Sequence, residues 1–158
     1  MQTQKSIVVG FPPSVEESVA TDMIHKITGA WVSQAIHVAA HLGVADFLID
    51  GEKHVDELAA LSGAKAPRLY RLLRALASVD IFAEVEPKKF SLNERAKYLR
   101  SNGTHSFRSL SMAVGDEWNW RSWGKMLDML KTDKLPLEEL YQAENAYAYL
   151  AENPESNR

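Results

Sequence analysis

The sequence predicts a mainly α-helical fold: a winged helix-turn-helix with a small β-wing and additional long helices. Two short amphipathic helical patterns, separated by a glycine, lie between His54 and Val79. A stretch typical of two strands around a polar turn follows, and long helical patterns flank this unit on both sides. Hydrophobic residues make up 46% and charged residues 25% of the 158 residues, which is ordinary for a globular domain.

A long first helix is predicted after an arm of residues 1–13. Ser14 is a favourable N-cap, and apolar residues then recur at helical spacing to about Leu42, where Gly43 should end the helix. A short helix is expected over residues 44–49. The long helix is apolar on two faces, as is typical of a helix with two neighbours. Its second neighbour is either another subunit or the rest of its own domain.

The helix-turn-helix is predicted from two helical patterns with clear boundaries. The first spans residues 55–61 and stops at Gly63, because glycine readily adopts the backbone conformation that ends a helix. The second spans residues 66–79, with Pro67 in its first turn and a leucine stripe along one face. This second helix holds the position of a recognition helix.

The wing is predicted from a change of pattern after Asp80. Apolar residues at 81–85 and 90–92 surround the polar turn of residues 86–89, which indicates two short strands. Asn93 is expected to cap a short helix over residues 94–98.

Helical patterns return in the last third of the chain. One helix is expected over residues 107–114 and another over residues 118–130, with a break at residues 135–137. We therefore expect three parts: the arm 1–13, the winged-helix domain 14–137, and a helical connector 138–158.

Charge leaves the question of DNA binding open. Arg68, Arg71 and Arg74 recur on the predicted recognition helix, where a DNA-binding regulator directs side chains at phosphates and bases. The net charge of −3 and a wing of mixed sign argue against a nucleic-acid partner. A dimeric winged-helix transcription regulator remains the alternative hypothesis.

Several other kinds of site are not expected. His37 and His41 have the i, i+4 spacing of a metal pair, but structural zinc needs four ligands. The glycines form no phosphate-binding pattern. No apolar run is long enough to span a membrane. Because the sequence has no cysteine, a reducing compartment, by default the cytoplasm, is expected.

A cluster of tryptophans stands out in the predicted helix after residue 117. Trp118, Trp120 and Trp123 lie within six residues, and Met112 precedes them. Buried aromatic residues either fill a core or line a small-molecule pocket. Both interpretations are kept, and a ligand-binding module without catalysis is a third hypothesis.

Several motifs in order resemble one family of enzymes. Residues 39–48 (AAHLGVADFL), residues 54–59 (HVDELA), residues 68–76 (RLYRLLRAL) and residues 90–93 (FSLN) are similar to the N-terminal domain of small-molecule O-methyltransferases, of the plant caffeate and bacterial polyketide-tailoring type. The segments at residues 123–132 and 144–158 fit the same pattern, although Asp133 stands where glycine is common.

The resemblance implies a dimerisation domain and not a DNA reader. It implies a cytoplasmic homodimer, an S-adenosylmethionine-dependent catalytic domain that this chain lacks, and an aromatic or polyketide-like hydroxyl substrate. No catalytic, cofactor-binding or metal residue is therefore expected here, and the chain alone should be inactive. Interface candidates are Ile24, Ile27, Trp31, Ile36 and Leu42. Pocket candidates are Met112, Trp118, Trp120 and Trp123.

Overall fold

The computed structural model describes residues 15–103 and 105–156 and divides the chain into two units, residues 1–31 and 32–158. The helices are α1 (Val15–His41), α2 (Val44–Phe47), α3 (Val55–Ser62), α4 (Ala66–Ser78), α5 (Arg108–Gly115), α6 (Glu117–Gly124), α7 (Met126–Lys131), α8 (Pro136–Tyr141) and α9 (Ala146–Glu152). The strands are β1 (Lys53–His54), β2 (Ala83–Glu86) and β3 (Lys89–Ser91), and a 3-10 helix spans Ala96–Leu99. The predicted fold class is confirmed. Ser14, the expected cap of α1, lies outside the described residues.

In the first unit, α1 is held by local contacts. Lys26 pairs with Asp22 one turn away, and the Thr28 hydroxyl donates to the Ile24 carbonyl at 2.8 Å. From residue 18 to residue 31, none of the described side chains is buried. Helix propensity and surface pairs therefore support this half of α1 without a core.

The helix-turn-helix forms as its boundary residues predict. The His54 ring accepts a hydrogen bond from the Asp56 amide at 3.3 Å and caps α3, and Gly63 ends α3 with a φ of 71°. Pro67 lies in the first turn of α4, where its missing N–H leaves no helical bond unmade. One face of α4 is then buried through Leu69, Leu73 and Leu76.

The wing is a three-stranded antiparallel sheet with strand order β1-β3-β2. Phe90 of β3 pairs with Lys53 of β1 on one side and with Glu84 of β2 on the other. The pairing of β2 with β3 is irregular between Glu84 and Glu86, so Val85 has no partner in the register. The third strand, β1, was not predicted, because two residues are too few to show alternation. It joins the wing to the start of α3 through the Val55 amide, which donates to the Lys88 carbonyl at 2.8 Å.

Asn93 fixes the chain between α4 and the wing. Its side-chain amide donates to the carbonyls of Asp80 and Phe82 at 3.0 and 3.1 Å, and both of these residues have a positive φ. Its side-chain oxygen accepts from the Ala96 amide at 2.9 Å, the capping role that was predicted. The helix that it caps is the 3-10 helix, so the expected boundaries 94–98 were wrong by one to two residues.

The hydrophobic core lies within the second unit, between the part of α1 after residue 31, the helix-turn-helix, the wing and the 3-10 helix. Phe82 and Phe90 are its largest fully buried side chains. The described residues bury no polar or charged side chain in it. Its members are Ala39, Ala40, Val44, Ala45, Leu48, Val55, Leu58, Ala59, Leu69, Leu73, Leu76, Phe82, Phe90, Ala96 and Leu99.

Two boundaries in the last third differ from the prediction. The helix expected over residues 118–130 is broken at Lys125 into α6 and α7. The predicted break at residues 135–137 contains the start of α8, because Pro136 occupies a first helical turn, where proline is tolerated. In residues 15–103 and 105–156, no helix is both long and apolar enough to cross a membrane.

Candidate functional site

An apolar strip runs along α1 in the first unit. Its positions repeat at three, four and seven residues, which places them on one face of the helix. Each of these side chains is more than half exposed, and Ile27 and Trp31 reach 69% and 72%. The α1 strip consists of Val19, Met23, Ile24, Ile27 and Trp31. Three of the five predicted interface residues lie on it.

The other two predicted interface residues, Ile36 and Leu42, have a different environment. Both are half-buried and pack against the core of the second unit. Helical periodicity did not distinguish them from the exposed positions, because α1 is apolar on more than one face. Their side chains are therefore only partly available to another chain.

A second apolar surface lies in the second unit beside the 3-10 helix. The rings of Tyr98 and Phe107 stack with centroids 5.2 Å apart, and about half of each residue is exposed. They border a cavity of about 270 Å³. Leu110 of α5 is also exposed. The residues lining this groove, which we call the Tyr98 groove, are Ile36, Ile81, Arg95, Tyr98, Leu99, Phe107 and Ser111.

The end of α5 approaches the last part of α1 closely at Gly115. A Cβ atom at this position would lie 2.3 Å from Cβ of His37, a distance that atoms cannot share. The Gln34 side-chain amide donates to the Gly115 carbonyl at 3.0 Å, and Nδ1 of His37 lies 3.0 Å from the Met112 carbonyl oxygen. Gly115 is thus the residue that allows α5 to dock against α1, and no sequence pattern predicted this role.

A cavity of about 320 Å³ lies among α6, α7, α8 and α9. Most of its lining is apolar or aromatic, as in small-molecule sites. We call it the Trp118 cavity. Its lining residues are Trp118, Asn119, Ser122, Trp123, Met126, Met129, Pro136, Leu137 and Ala146. Of the predicted pocket residues, the structure brings Trp118 and Trp123 together here. Met112 instead packs against the core, and Trp120 is not part of the lining.

Two buried donors near this cavity have no acceptor. Trp118 is only 8% exposed, and neither its Nε1–H nor the Tyr141 hydroxyl donates a hydrogen bond to an acceptor among the described residues. Both rings contact Tyr149, with centroid distances of 5.3 Å from Trp118 and 4.9 Å from Tyr141. Burial raises the pKa of the Tyr141 hydroxyl above its usual value. The sequence did not indicate these tyrosines, because they lie on two separate short helices.

Two side-chain clusters singled out in the sequence are the histidine pair on α1 and the three arginines on α4. The rings of His37 and His41 stack with centroids 6.1 Å apart. Among residues 15–103 and 105–156, no three histidine or acidic side chains are grouped to hold a metal ion. Arg68, Arg71 and Arg74 are exposed on α4, and the Arg74 guanidinium lies 5.6 Å from the centre of the Tyr70 ring.

Comparison with known proteins identifies similar sequences. The model of the O-methyltransferase dimerisation domain matches residues 24–102. A phenazine O-methyltransferase of Lysobacter antibioticus is 40% identical over 136 residues, which are 86% of this chain and 39% of that protein. A phenazine-1-carboxylate N-methyltransferase of Pseudomonas aeruginosa is 30% identical over 141 residues, 89% of this chain and 41% of that protein. The chain thus spans about two fifths of the length of these relatives.

Solved structures of methyltransferases are also similar to this chain. The crystal structure of LaPhzM has a TM-score of 0.83 and 38% identity, over 89% of this chain and 42% of that one. The structure of CalO1, a methyltransferase in calicheamicin biosynthesis in its SAH-bound form, has a TM-score of 0.72 and 27% identity, over 92% and 43% of the two chains. These similarities are to methyltransferases, and the DNA-binding alternative gains no support from them.

Proposed function

Since this chain belongs to the family of O-methyltransferase dimerisation domains, we propose that it joins two copies of a small-molecule methyltransferase into a homodimer. The observation that carries this proposal is the α1 strip, in which five large apolar side chains are more than half exposed. Exposed apolar surface of this kind marks an interaction site. In a family named for dimerisation, the partner is a second copy.

The Tyr98 groove is the surface that we propose for part of the partner's contact. Its lining is mostly apolar, its cavity is about 270 Å³, and Leu110 of α5 is a further exposed apolar residue of the second unit. In a two-fold dimer both subunits present the same surfaces. The α1 strip of each subunit would contact the Tyr98 groove of the other, which makes two equivalent contacts. Aromatic anchors such as Trp31 contribute strongly to such contacts.

We also propose that α6 to α9 form part of the wall of the methyl-acceptor pocket. The Trp118 cavity supports this proposal through its apolar lining and its few polar groups. Of the predicted pocket residues, Trp118 and Trp123 carry it. A fused aromatic ring with a hydroxyl group is the acceptor class that we propose, and the first of the relatives described above is named for such a ring system.

The methyl donor that we propose for the whole cytoplasmic enzyme is S-adenosylmethionine. The residues described here do not fit that group in the way a doubly wound fold does, which binds nucleotide cofactors with parallel strands and a glycine-rich turn. The described sheet is antiparallel, and β1 leads into α3 with no glycine between them. We therefore propose that donor binding and catalysis belong to a catalytic domain following the connector 138–158, and that residues 1–158 do not methylate alone.

The test of dimerisation is the mass of the chain in solution. Sedimentation equilibrium over a range of concentrations should give a dimer for the unchanged sequence. Ile27→Asp should raise the dimer dissociation constant by about 100-fold or more, because an unpaired carboxylate would be buried in the interface.

A matched control is available on the same helix. His25 is exposed and lies about 200° around the helix from Ile27, since each residue turns the helix by about 100°. His25→Asp places the same charge away from the α1 strip and should leave the dimer intact. A monomeric unchanged chain, or equal effects of the two substitutions, would refute the proposed interface.

A further inference from the structure

Asn102 and Gly103 lie in the turn between the 3-10 helix and α5. Asn102 is the only asparagine in the sequence that precedes a glycine. It is exposed, and its side chain makes no hydrogen bond to a described residue. An asparagine in this position is chemically labile, because the next peptide nitrogen can attack the side-chain amide carbon when no Cβ obstructs it. The turn therefore presents a reactive pair to water.

The other described asparagines are held by the fold. Each makes at least one hydrogen bond between its side chain and the main chain, at 2.9 Å for Asn93, 2.7 Å for Asn119, 3.0 Å for Asn145 and 2.8 Å for Asn153. Such a bond must break before the side chain can turn toward the next peptide nitrogen, which costs free energy. Among the described asparagines, Asn102 is thus the one that is free to react.

The nitrogen that would attack is also unbonded. The Gly103 carbonyl accepts from the Ser106 amide at 3.2 Å, but the Gly103 N–H donates to none of the residues that the structure describes. The glycine after Asp50 has a different environment, because the Gly51 N–H donates to the Leu48 carbonyl at 3.4 Å. A nitrogen that donates a hydrogen bond is held in place and must lose that bond to attack. Local structure therefore favours reaction at Gly103 over Gly51.

The surroundings of Gly103 favour the charge that forms during the attack. Gly103 lines a cavity of about 230 Å³ together with Lys97, Arg100 and His105. Glu94 also lines it and pairs with Lys97, so no other side chain of the lining balances the positive charge of Arg100. Positive charge stabilises the anionic oxygen that forms when a nitrogen attacks an amide carbon. A neutral imidazole can accept the proton that the nitrogen loses.

We propose that Asn102 is a site of spontaneous deamidation in the folded chain. The Gly103 nitrogen bonds to Cγ of Asn102, the bond from Cγ to the side-chain nitrogen breaks, and ammonia leaves with the proton of the attacking nitrogen. Water then opens the five-membered imide. Opening at the main-chain carbonyl gives isoaspartate, and opening at Cγ gives aspartate. Either product adds one negative charge, and the reaction requires neither dimerisation nor a methyl donor.

The modified turn lies next to the Tyr98 groove. Tyr98 lines both that groove and the cavity beside Gly103. The Phe107 amide donates to the Tyr98 carbonyl at 2.7 Å and closes the loop that contains Asn102. Isoaspartate adds one methylene group to the main chain of this loop. Deamidation is therefore a slow chemical change within the segment that borders the groove.

The test follows the chain during incubation at neutral pH. Deamidation replaces an amide by a heavier carboxyl group, so mass spectrometry of peptides locates it. Asn102 should lose its amide faster than the other described asparagines. Gly103→Ala should slow this loss by about 10-fold or more, because a Cβ obstructs the attack. The variant should fold, since its Cβ would lie 3.7 Å from the nearest listed neighbour atom, the Lys97 carbonyl oxygen, which is an ordinary contact.

A second asparagine–glycine pair in the same chain separates structure from sequence. Asp50→Asn creates it at an exposed position, where the following Gly51 N–H is hydrogen-bonded. In the folded chain the introduced amide should be lost more slowly than that of Asn102. In urea, where the bond to Leu48 is absent, the two rates should become similar. Equal rates in the folded chain, or no loss at Asn102 under conditions in which the unfolded chain reacts, would overturn the proposal.

Discussion

Residues 15–31 of α1 and the winged helix over residues 55–99 contain similar apolar side chains in opposite environments. Described side chains of the first region include five large exposed apolar residues and no buried residue. In the second, Leu58, Leu73 and Phe90 have no exposed surface. A helix gains most of its stability from packing an apolar face. The comparison therefore teaches that the winged helix is stabilised by its own chain, whereas this part of α1 requires a partner for the same gain.

The largest effect should come from truncating one aromatic residue in each region. Phe90→Ala removes a fully buried ring from the core and should lower the free energy of unfolding by about 3–5 kcal/mol. Trp31→Ala removes an exposed ring and should change it by less than about 0.5 kcal/mol in dilute monomeric protein. Urea denaturation at low protein concentration measures both values.

At high protein concentration the same two variants test whether the α1 strip is covered by a partner. If the α1 strip is covered in a dimer, the melting temperature of the unchanged chain should rise with concentration, and Trp31→Ala should reduce that rise. Equal destabilisation by Phe90→Ala and Trp31→Ala in dilute solution would contradict the difference between the two regions.

The next effect concerns the close helix crossing within the second unit. Gly115→Ala places a methyl group 2.3 Å from His37 and should destabilise the chain by about 1–3 kcal/mol, because α5 must move away from α1. Gly124→Ala is the control, since no atom outside its own helical turn and chain neighbours lies within 4 Å of the position that its Cβ would take. It should be neutral or stabilising by up to about 1 kcal/mol. Thermal unfolding of both variants checks this, and a harmless Gly115→Ala would refute the tight crossing.

A smaller effect is expected where a polar side chain fixes the backbone. Asn93→Ala removes three hydrogen bonds to the backbone of Asp80, Phe82 and Ala96 and should cost about 1–2 kcal/mol. Asn102 is exposed and makes no such bonds in the described structure, so Asn102→Ala should remain within about 0.5 kcal/mol of the unchanged chain. Denaturant midpoints of the two variants provide the measurement. Similar losses in both would show that Asn93 does not hold this turn.

The smallest effect is electrostatic and lies on the surface of the wing. The hydrogen bond from Lys89 to Glu52, and then the charges of Glu52 and Glu86, raise the pKa of Lys89 above its usual value of 10.5. A raised pKa in the folded state means that these pairs stabilise the fold below pH 10.5 and lose this effect as pH rises through the folded-state value. The difference in urea midpoint between the unchanged chain and Lys89→Met should therefore shrink as the pH rises above 10.5. A constant difference across this range would exclude the ion pairs as its source.

Helix boundaries show how far local sequence signals reach. The end of α3 at Gly63, the start of α4 beside Pro67 and the end of α1 before Gly43 were predicted within one residue. Glycine extends and proline restricts the backbone conformations available at its own position, so both mark helix boundaries without tertiary information. The strand β1 was missed because two residues show no alternation, and the break at Lys125 was missed although Gly124 immediately precedes it.

The candidate site was predicted less completely, because it depends on distant residues. Trp118 and Trp123 were predicted as part of a tryptophan cluster that the family resemblance places near the acceptor pocket. Tyr141, Tyr149 and Leu137 come to the same region from two other helices, and only packing decides that they meet. The same limit applies to Ile36, whose apolar character predicted burial but not which surface would bury it.

By itself, the sequence determined the helical class, the order of the helix-turn-helix and wing, and the family, because periodicity, caps and ordered motifs are local properties. Tertiary structure alone decided which apolar residues of α1 stay exposed, that Gly115 lies against His37, and that the Trp118 indole has no acceptor among the described residues. These properties depend on which distant side chains occupy the neighbouring space. Burial and hydrogen-bond satisfaction are therefore established only when the whole chain packs.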